Sequence, residues 1–325
     1  MSSARPGISR RFGSNSDLDS ESTTAPPGNV GSGTRPRGEA CPPVQAVAIV
    51  PPLSGTVVAA VNGAGRDNRH GVLVPASLAP IARLRSGVMG AVRVLFVHHD
   101  ANSTDGHVGR AFADLGVEVV THRVCAAPGP IGSAVFPEPD DLDRIVVFGS
   151  RWSVDDVQVA HWVEPEIRFL QEADAAGIGV LGVCFGGQIL AAALGGTVAR
   201  TAHPEIGWMG IDLTPAGVAA GVESGPWLQW HFDRFDVPPG AVELAATASG
   251  PQAFAIGPHL GLQFHPEADR EVLEGWMTDD LDQLAAAGLD ATELLDGADR
   301  HHADAAARAR RLVDRFLSPD PDPGP

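Results

Sequence analysis

The chain has 325 residues, of which 44% are hydrophobic, and its formal net charge at pH 7 is −17. Residues 1–88 carry nine Arg and five acidic residues, a net of +4, whereas residues 89–325 carry fourteen Arg and 35 acidic residues, a net of −21. A surface this acidic repels polyanions, so we expect no nucleic-acid binding and assign the acidity to solubility. No apolar run reaches the roughly 18 residues of a membrane span, and no basic-then-apolar leader opens the sequence, so we expect a cytoplasmic protein without membrane attachment.

The N-terminal segment has the composition of a loop. Up to about Pro43 it is rich in Ser, Gly, Pro and Arg, and the short apolar runs that follow are bounded by Pro and Gly. Such a segment buries too little apolar surface to offset the entropy of the chain. We therefore expect residues 1–88 to be a disordered or non-native extension, with Met89 as a candidate translation start. Residues 89–318 are expected to form the folded domain, and the Pro- and Asp-rich residues 319–325 a disordered tail.

Strands and helices alternate in the first half of the folded region. Apolar runs and their periodicity predict strands at 92–97, 117–121, 144–148 and 178–183, and helices near 108–115, 159–176 and 188–194. Further strands are expected near 196–199, 210–213, 242–245, 253–256 and 260–264, and helices at 269–287 and 291–316. The alternation indicates parallel βαβ units in a three-layer α/β/α domain, and the closely spaced later strands indicate antiparallel additions. We expect an α/β fold with a mostly parallel mixed sheet.

A cysteine stands at the junction of the fourth strand and its helix. The segment Gly182-Val-Cys184-Phe-Gly186 has the Gly-x-nucleophile-x-Gly pattern of a nucleophile elbow, in which glycines let strand and helix close together. The turn places the sulfur at a helix N-terminus, where the helix dipole and free N–H groups favour thiolate. Alone the pattern is weak, because a buried cysteine at a strand end is often a small apolar residue. Cys41 and Cys125 show no regular spacing with Cys184, which argues against a disulfide framework.

A second candidate group lies 81 residues after the cysteine, at the end of the last predicted strand. It reads Gln263-Phe-His265-Pro-Glu267. His265 can act as general base and acid, and Glu267 can fix its tautomer. Both segments follow the carboxyl ends of strands, which is the edge where α/β sheets place active sites. Together they predict a Cys-His-Glu catalytic triad.

These segments resemble the class I, or triad, glutamine amidotransferases, whose pattern is Gly-x-Cys-x-Gly-x-Gln followed by Gln-x-His-Pro-Glu. The resemblance runs from about Val92 to Leu317 and is strongest to stand-alone domains similar to the glutaminase half of GMP synthase. Further segments also match: Glu205-Ile-Gly207-Trp208, Trp230-His231-Phe-Asp233 and Gln252-Ala-Phe254.

The resemblance implies a flavodoxin-like fold and a γ-glutamyl thioester on Cys184, with release of ammonia and hydrolysis to glutamate. We expect no cofactor and no metal. The resemblance also implies that Gln188 contacts the substrate, and that the backbone at Gly207 and Trp208 holds the amino-acid end of the substrate.

Two positions depart from the family pattern. Gly187 stands where the family usually carries His or Met, which is expected to change one wall of the pocket. After the third strand, relatives commonly read Gly-Gly-Pro-x-Ser, whereas this chain reads Phe-Gly149-Ser150-Arg-Trp-Ser. We expect the N–H of Phe185 as one oxyanion donor and the Gly149–Ser150 turn as the source of the second. Ser in place of Gly can restrict a backbone flip in that turn.

Two functions follow. The leading one is a cysteine amidohydrolase or glutamine amidotransferase that cleaves a γ-glutamyl amide, in free glutamine or in a γ-glutamyl peptide. Only 58 residues follow Glu267, too few for a synthase domain, so transfer of ammonia would need a synthase partner in trans. The alternative, favoured by the altered oxyanion loop, is an amidotransferase-like binding or regulatory subunit with weak or no catalysis.

Several histidines remain open. His98 and His99 end the first strand, where one of them could line the pocket or simply be hydrogen-bonded in the core. His231, two residues before Asp233, is open between a role near the pocket and a structural one. His161 and the pair His301-His302 lack convergent partners, so no metal site is expected.

Overall fold

The computed structural model describes residues 92–286 and 288–318. Our expectations for residues 1–88, for Cys41 and for residues 319–325 fall outside this part of the chain. Among the described residues, no helix is both long and apolar enough to cross a membrane.

The described residues form ten strands and six helices. The strands are β1 (Arg93–His98), β2 (Glu118–Arg123), β3 (Arg144–Val147), β4 (Gly179–Val183), β5 (Val198–Met209), β6 (Asp212–Leu213), β7 (Trp227–Phe235), β8 (Val242–Thr247), β9 (Gly250–Ile256) and β10 (His259–Leu262). The helices are α1 (Gly106–Asp114), α2 (Ala160–Ala175), α3 (Phe185–Ala193), α4 (Pro215–Ala219), α5 (Arg270–Ala286) and α6 (Ala291–Leu317).

Eight strands form one mixed sheet in the order β2-β1-β3-β4-β10-β9-β8-β6. The first five of these are joined by parallel pairing, and β10, β9, β8 and β6 by antiparallel pairing. The expected mostly parallel mixed sheet is confirmed. The parallel strands β3 and β4 are buried along their whole length, as expected for central strands covered on both faces.

Helices cover both faces of the sheet. Because side chains alternate along a strand, Leu95 and Val97 of β1 face a core built with α2 and α3. Val94 and Phe96 face the opposite core, to which α1 and α6 contribute. The three-layer α/β/α architecture follows from this alternation.

A separate antiparallel ribbon, β5 paired with β7, lies outside the main sheet. Its apolar side chains Ile206 and Leu228 pack with Leu273 and Met277 of α5 in a third core. Sequence periodicity predicted only a short strand near 196–199 and none at β7. The ribbon is stabilised by pairing between segments far apart in sequence, which a local pattern does not report.

The ribbon also meets the main sheet next to the predicted triad. The backbone N–H of His265 donates to the carbonyl of Leu228 on β7 at 2.9 Å. This contact brings β7 against the residues that follow β10, and it places the ribbon over the carboxyl ends of β4 and β10.

Candidate active site

Cys184 lies at a strained turn between β4 and α3. Its φ of 52° makes it the only non-glycine residue with a positive φ among the described residues, a conformation that costs on the order of 1–3 kcal/mol. The helix begins at Phe185, directly after the cysteine and earlier than the sequence predicted. A Cβ on Gly182 would collide with the carbonyl of Gly186, and a Cβ on Gly186 with the carbonyl of Val147. The two glycines therefore permit the close approach that the elbow requires.

His265 and Glu267 lie beside the cysteine, in the turn that follows β10. The Nδ1 atom of His265 is 2.8 Å from Oε1 of Glu267, and both side chains are buried. The imidazole also packs edge-on against the ring of Trp276 from α5, with ring centroids 4.6 Å apart. These contacts fix the orientation of the ring, and they leave its other nitrogen for the cysteine.

The charges around His265 favour its protonated form. Burial alone lowers the pKa of His265, but the charges of Glu267 and Cys184 outweigh burial and raise the pKa to about 10. The raised pKa favours the imidazolium form of His265, beside the sulfur of Cys184, which accepts from Nε2 of Gln263 at 3.7 Å. Such a group can donate a proton to a leaving amine.

The loop after β3 reaches the same point. A Cβ placed on Gly149 would lie 3.0 Å from Cε1 of His265 and 3.7 Å from Cβ of Cys184. Phe185 occupies the first position of α3, where a backbone N–H has no acceptor within the helix. Of the three residues from which the sequence predicts oxyanion donors, Gly149 and Phe185 thus lie next to Cys184, and Ser150 lines the same cavity.

These groups open onto a cavity of about 310 Å³. Its lining includes Cys184, His265, Glu267, Gln188, Gly149 and Ser150, together with a rim formed by Arg151, Trp152, Asp156, Arg200, Asp233 and Trp276. Gln188 is buried in the wall, and its Nε2 donates to the carbonyl of Asp233 at 3.0 Å. The predicted catalytic residues and Gln188 therefore share one cavity.

Gly207 and Trp208 do not lie at this cavity, contrary to the sequence-based expectation. The Trp208 indole donates to the carbonyl of Leu294 at 3.1 Å and contacts the ring of His301, both on α6. The reason is the order of the ribbon, because β7 lies between β5 and the triad. Trp208 consequently packs against a helix and does not form the floor of the site.

Residues Trp230–Asp233 of β7 line the cavity instead. The imidazole of His231 is 3.0 Å from the carbonyl of Asp233 and 3.0 Å from Oε2 of Glu205, so it holds the shape of this segment. The sequence identifies the Trp-His-Phe-Asp tetrapeptide as part of the family resemblance, but it predicts no binding role for the backbone of this segment. The signal that could have found it is the tetrapeptide's place immediately before the last strands.

His98, the last residue of β1, and the next residue, His99, do not line the cavity. His98 stacks on Phe148 with ring centroids 4.5 Å apart, and burial, with the Arg123 charge second, lowers its pKa to about 3. His99 is fully buried against Glu166 of α2. Of the two alternatives that the sequence left open, the structure selects the hydrogen-bonded or packed core histidine for both.

The sequence model of the family "glutamine amidotransferase class-I" matches residues 100–280, more than half of the chain. This chain belongs to the class I glutamine amidotransferase family. It is 30% identical over 206 residues to YfeJ, a glutamine amidotransferase-like protein of Salmonella typhimurium, with 60% of this chain and 84% of YfeJ covered. It is 34% identical over 109 residues to the GMP synthase of Aeropyrum pernix, with 30% of this chain and 21% of the synthase covered. The chain thus spans about a fifth of the length of that curated relative.

Solved structures show the same fold. A glutamine amidotransferase from Thermotoga maritima superposes with a TM-score of 0.64 at 24% identity, over 70% of this chain and 99% of that one. A glutamine amidotransferase from Methylobacillus flagellatus gives a TM-score of 0.61 at 25% identity, over 72% of this chain and 99% of that one.

Gly187, one of the two positions that depart from the family pattern, affects helix packing and not the pocket wall. A Cβ on Gly187 would collide with the carbonyl of Leu262 on β10, and Gly187 does not line the cavity. The expectation that this glycine changes a pocket wall is therefore wrong. Its lack of a side chain lets α3 approach β10 instead.

Proposed function

We propose that this amidotransferase domain is a cysteine-dependent amidohydrolase that cleaves a γ-glutamyl amide through a γ-glutamyl thioester. The observation that carries the proposal is the placement of Cys184 in a strained turn at a helix N-terminus, beside an imidazolium that is hydrogen-bonded to Glu267. Nucleophile, acid–base group and orienting carboxylate meet at one cavity.

The chemistry follows from these positions. The Cys184 thiolate attacks the γ-carbonyl carbon, and the carbonyl oxygen becomes an oxyanion that backbone N–H groups of Phe185 and the Gly149–Ser150 turn stabilise. The imidazolium of His265 gives its proton to the leaving nitrogen, and the C–N bond breaks to form the thioester. His265 then takes a proton from water, whose oxygen attacks the thioester, and glutamate leaves as the thiolate is restored.

We infer that the substrate is placed by the wall beside the nucleophile, where the carbonyl of Trp230 is 3.8 Å from the sulfur of Cys184. Gln188 is buried and bonded to the backbone of β7, and the residues Trp230–Asp233 line the cavity. We infer that these groups hold the amino-acid end of the γ-glutamyl unit, in place of Gly207 and Trp208. The leaving group would then face the rim that includes Arg151 and Trp152.

Ammonia released here would pass to a synthase partner in trans, or to solvent if the domain acts alone as a glutaminase or γ-glutamyl peptidase. The relatives named GMP synthase motivate the first possibility, since this chain covers about a fifth of the length of one of them. The competing function, a binding or regulatory subunit without catalysis, is favoured by the Ser150 substitution in the oxyanion turn.

The test is ammonia or amine release from glutamine, asparagine and several γ-glutamyl amides under identical conditions. We expect turnover of γ-glutamyl compounds only, and its complete loss in Cys184→Ala with unchanged thermal stability. Asparagine is expected to react poorly, because its shorter side chain misplaces the carbonyl relative to the sulfur. Equal or faster turnover of asparagine would sink the substrate assignment, and wild-type turnover by Cys184→Ala would sink the mechanism. Slow alkylation of Cys184 near neutral pH, without turnover, would favour the regulatory function.

A further inference from the structure

A buried pair of ionisable side chains, His99 and Glu166, lies beneath the oxyanion turn and takes no part in the chemistry described above. Both side chains have no solvent exposure, and Nε2 of His99 is 3.0 Å from each carboxylate oxygen of Glu166. The imidazole is enclosed by the rings of Trp162 and Phe185, with centroids 5.6 and 4.6 Å away. Removing two charges from water is costly, and apolar side chains of similar volume often serve stability as well or better. Stabilisation of the fold therefore does not explain why this position holds a buried His–Glu pair.

The second nitrogen of His99 reaches the oxyanion turn. Its Nδ1 is 3.4 Å from the carbonyl oxygen of Gly149. Burial lowers the pKa of His99, but the charge of Glu166, followed by its hydrogen bond and the charge of Asp100, raises the pKa above its usual value. As an imidazolium, His99 donates from both nitrogens, to Glu166 and to Gly149.

The carbonyl of Gly149 determines where the next N–H points. In a planar trans peptide, the C=O and the following N–H are directed oppositely. A carbonyl held down toward His99 in the core therefore turns the N–H of Ser150 away from the core. The next peptide is held as well, because the N–H of Arg151 donates to the Asp100 carboxylate at 3.2 Å. Two consecutive residues directly after β1, His99 and Asp100, thus anchor two consecutive peptides of the turn.

We propose that the His99–Glu166 pair is a positioning device that holds the Gly149–Ser150 peptide with its N–H toward the Cys184 nucleophile. The second oxyanion donor then has its catalytic orientation before substrate binds. No rotation of the Gly149–Ser150 peptide is needed, so the side chain of Ser150 does not hinder catalysis. This inference rests on the proposed amidohydrolase function. His99 and Glu166 are positioning residues, since neither lines the cavity.

The central variant replaces both members together, His99→Leu with Glu166→Met, so that no unpaired charge stays buried. Loss of one oxyanion donor lowers kcat by about 10²–10³-fold. We expect a fall in kcat of at least about 10²-fold, with KM and the thermal midpoint close to wild type. Alkylation of Cys184 by iodoacetamide forms no oxyanion, so its rate should change by less than about twofold.

Two further variants separate positioning from packing. In His99→Asn with Glu166→Met, the amide nitrogen can replace Nδ1 as donor to Gly149, and we expect most of the lost kcat to return. The matched control is a second His–carboxylate pair, formed by His259 of β10 and Asp174. Asp174 lies on α2, like Glu166, and the Nε2–Oδ1 distance of the pair is 3.0 Å. His259→Asn with Asp174→Met retains an acceptor for the Val180 N–H and should leave kcat unchanged.

The outcomes are distinguishable from failure of the proposed function. If the double apolar variant keeps wild-type kcat, or if alkylation slows in parallel with kcat, the positioning role is overturned while the amidohydrolase function stands. If the wild-type protein cleaves no γ-glutamyl compound, the proposed function fails, and a crystal structure of the double apolar variant decides the inference. The positioning role requires the Gly149–Ser150 peptide to rotate in that structure. An unrotated peptide would overturn it.

Discussion

Gly149 lies where an added methyl group would meet the imidazole of His265, the proposed acid–base group. A Cβ there would stand 3.0 Å from Cε1 of His265, about 0.5 Å inside the usual carbon–carbon contact of about 3.5 Å. The φ of Gly149 is not in the left-handed region, so Ala is compatible with the backbone and the effect of Gly149→Ala is purely steric. The imidazole must yield, because the opposing atoms belong to its ring.

The size of the effect follows from how firmly that ring is held. The hydrogen bond of 2.8 Å to Glu267 and the contact with Trp276 leave the ring little freedom. A displacement of about 1 Å can cost about 10²-fold in rate, so a shift of about 0.5 Å should lower kcat roughly tenfold. Overpacking by one methyl group should cost about 1 kcal/mol of stability.

The assay is steady-state release of ammonia together with a thermal melt. Gly275→Ala is the matched control, because Gly275 lines the same cavity within α5 and its added Cβ would meet no atom closer than 3.9 Å. We expect the control to keep wild-type kcat and to gain stability, since Ala is favoured over Gly by about 1 kcal/mol in a helix. A Gly149→Ala variant with wild-type kcat would refute the close approach of the turn to His265.

Three other predictions concern titration and chain length. In the proposed mechanism the imidazolium of His265 is the proton donor, so kcat/KM should fall as pH rises through about 10. Glu267→Gln should move that limb of the pH–rate profile to lower pH and leave partial activity. The pKa of His98 is about 3 in the folded state and 6.5 in the unfolded state, so below pH 6.5 the unfolded state binds one more proton. The free energy of unfolding should therefore fall by up to about 1.4 kcal/mol per pH unit from pH 6.5 toward 3. In denaturant titrations, the free energy of unfolding of His98→Phe should fall less steeply over this range. A chain beginning at Met89 should keep the thermal midpoint and activity of the full chain, because the described core starts at β1; a lower midpoint would show that residues 1–88 stabilise it.

The residues of the proposed triad could be read from the sequence because local rules constrain them. An elbow needs glycines on either side of Cys184 in contiguous sequence, and the collisions that added Cβ atoms would make explain why. His265 and Glu267 are two residues apart, so their contact is also local. The continuous apolar sequences of β1, β3 and β4 likewise predict that these strands are central in the sheet.

The wall of the cavity depended on packing between distant segments. Gly207 and Trp208 lie in a recognisable motif, yet their strand is the outer one of a ribbon. Only the pairing of β5 with β7 reveals that Trp230–Asp233 lines the cavity beside Cys184. Whether a side chain added at Gly187 would meet the cavity or β10 similarly depends on how closely α3 approaches β10.

The sequence by itself determined the candidate nucleophile, its candidate acid–base partner and the buried central strands, since each is encoded by neighbouring residues and a short periodicity. Only the tertiary structure decided what surrounds them. His99 and Glu166 are 67 residues apart, and nothing local distinguishes them from other polar residues of a strand end and a helix. Their contact with each other, and with the carbonyl of Gly149, arises because β1, β3 and α2 are packed side by side, which is a property of the folded chain.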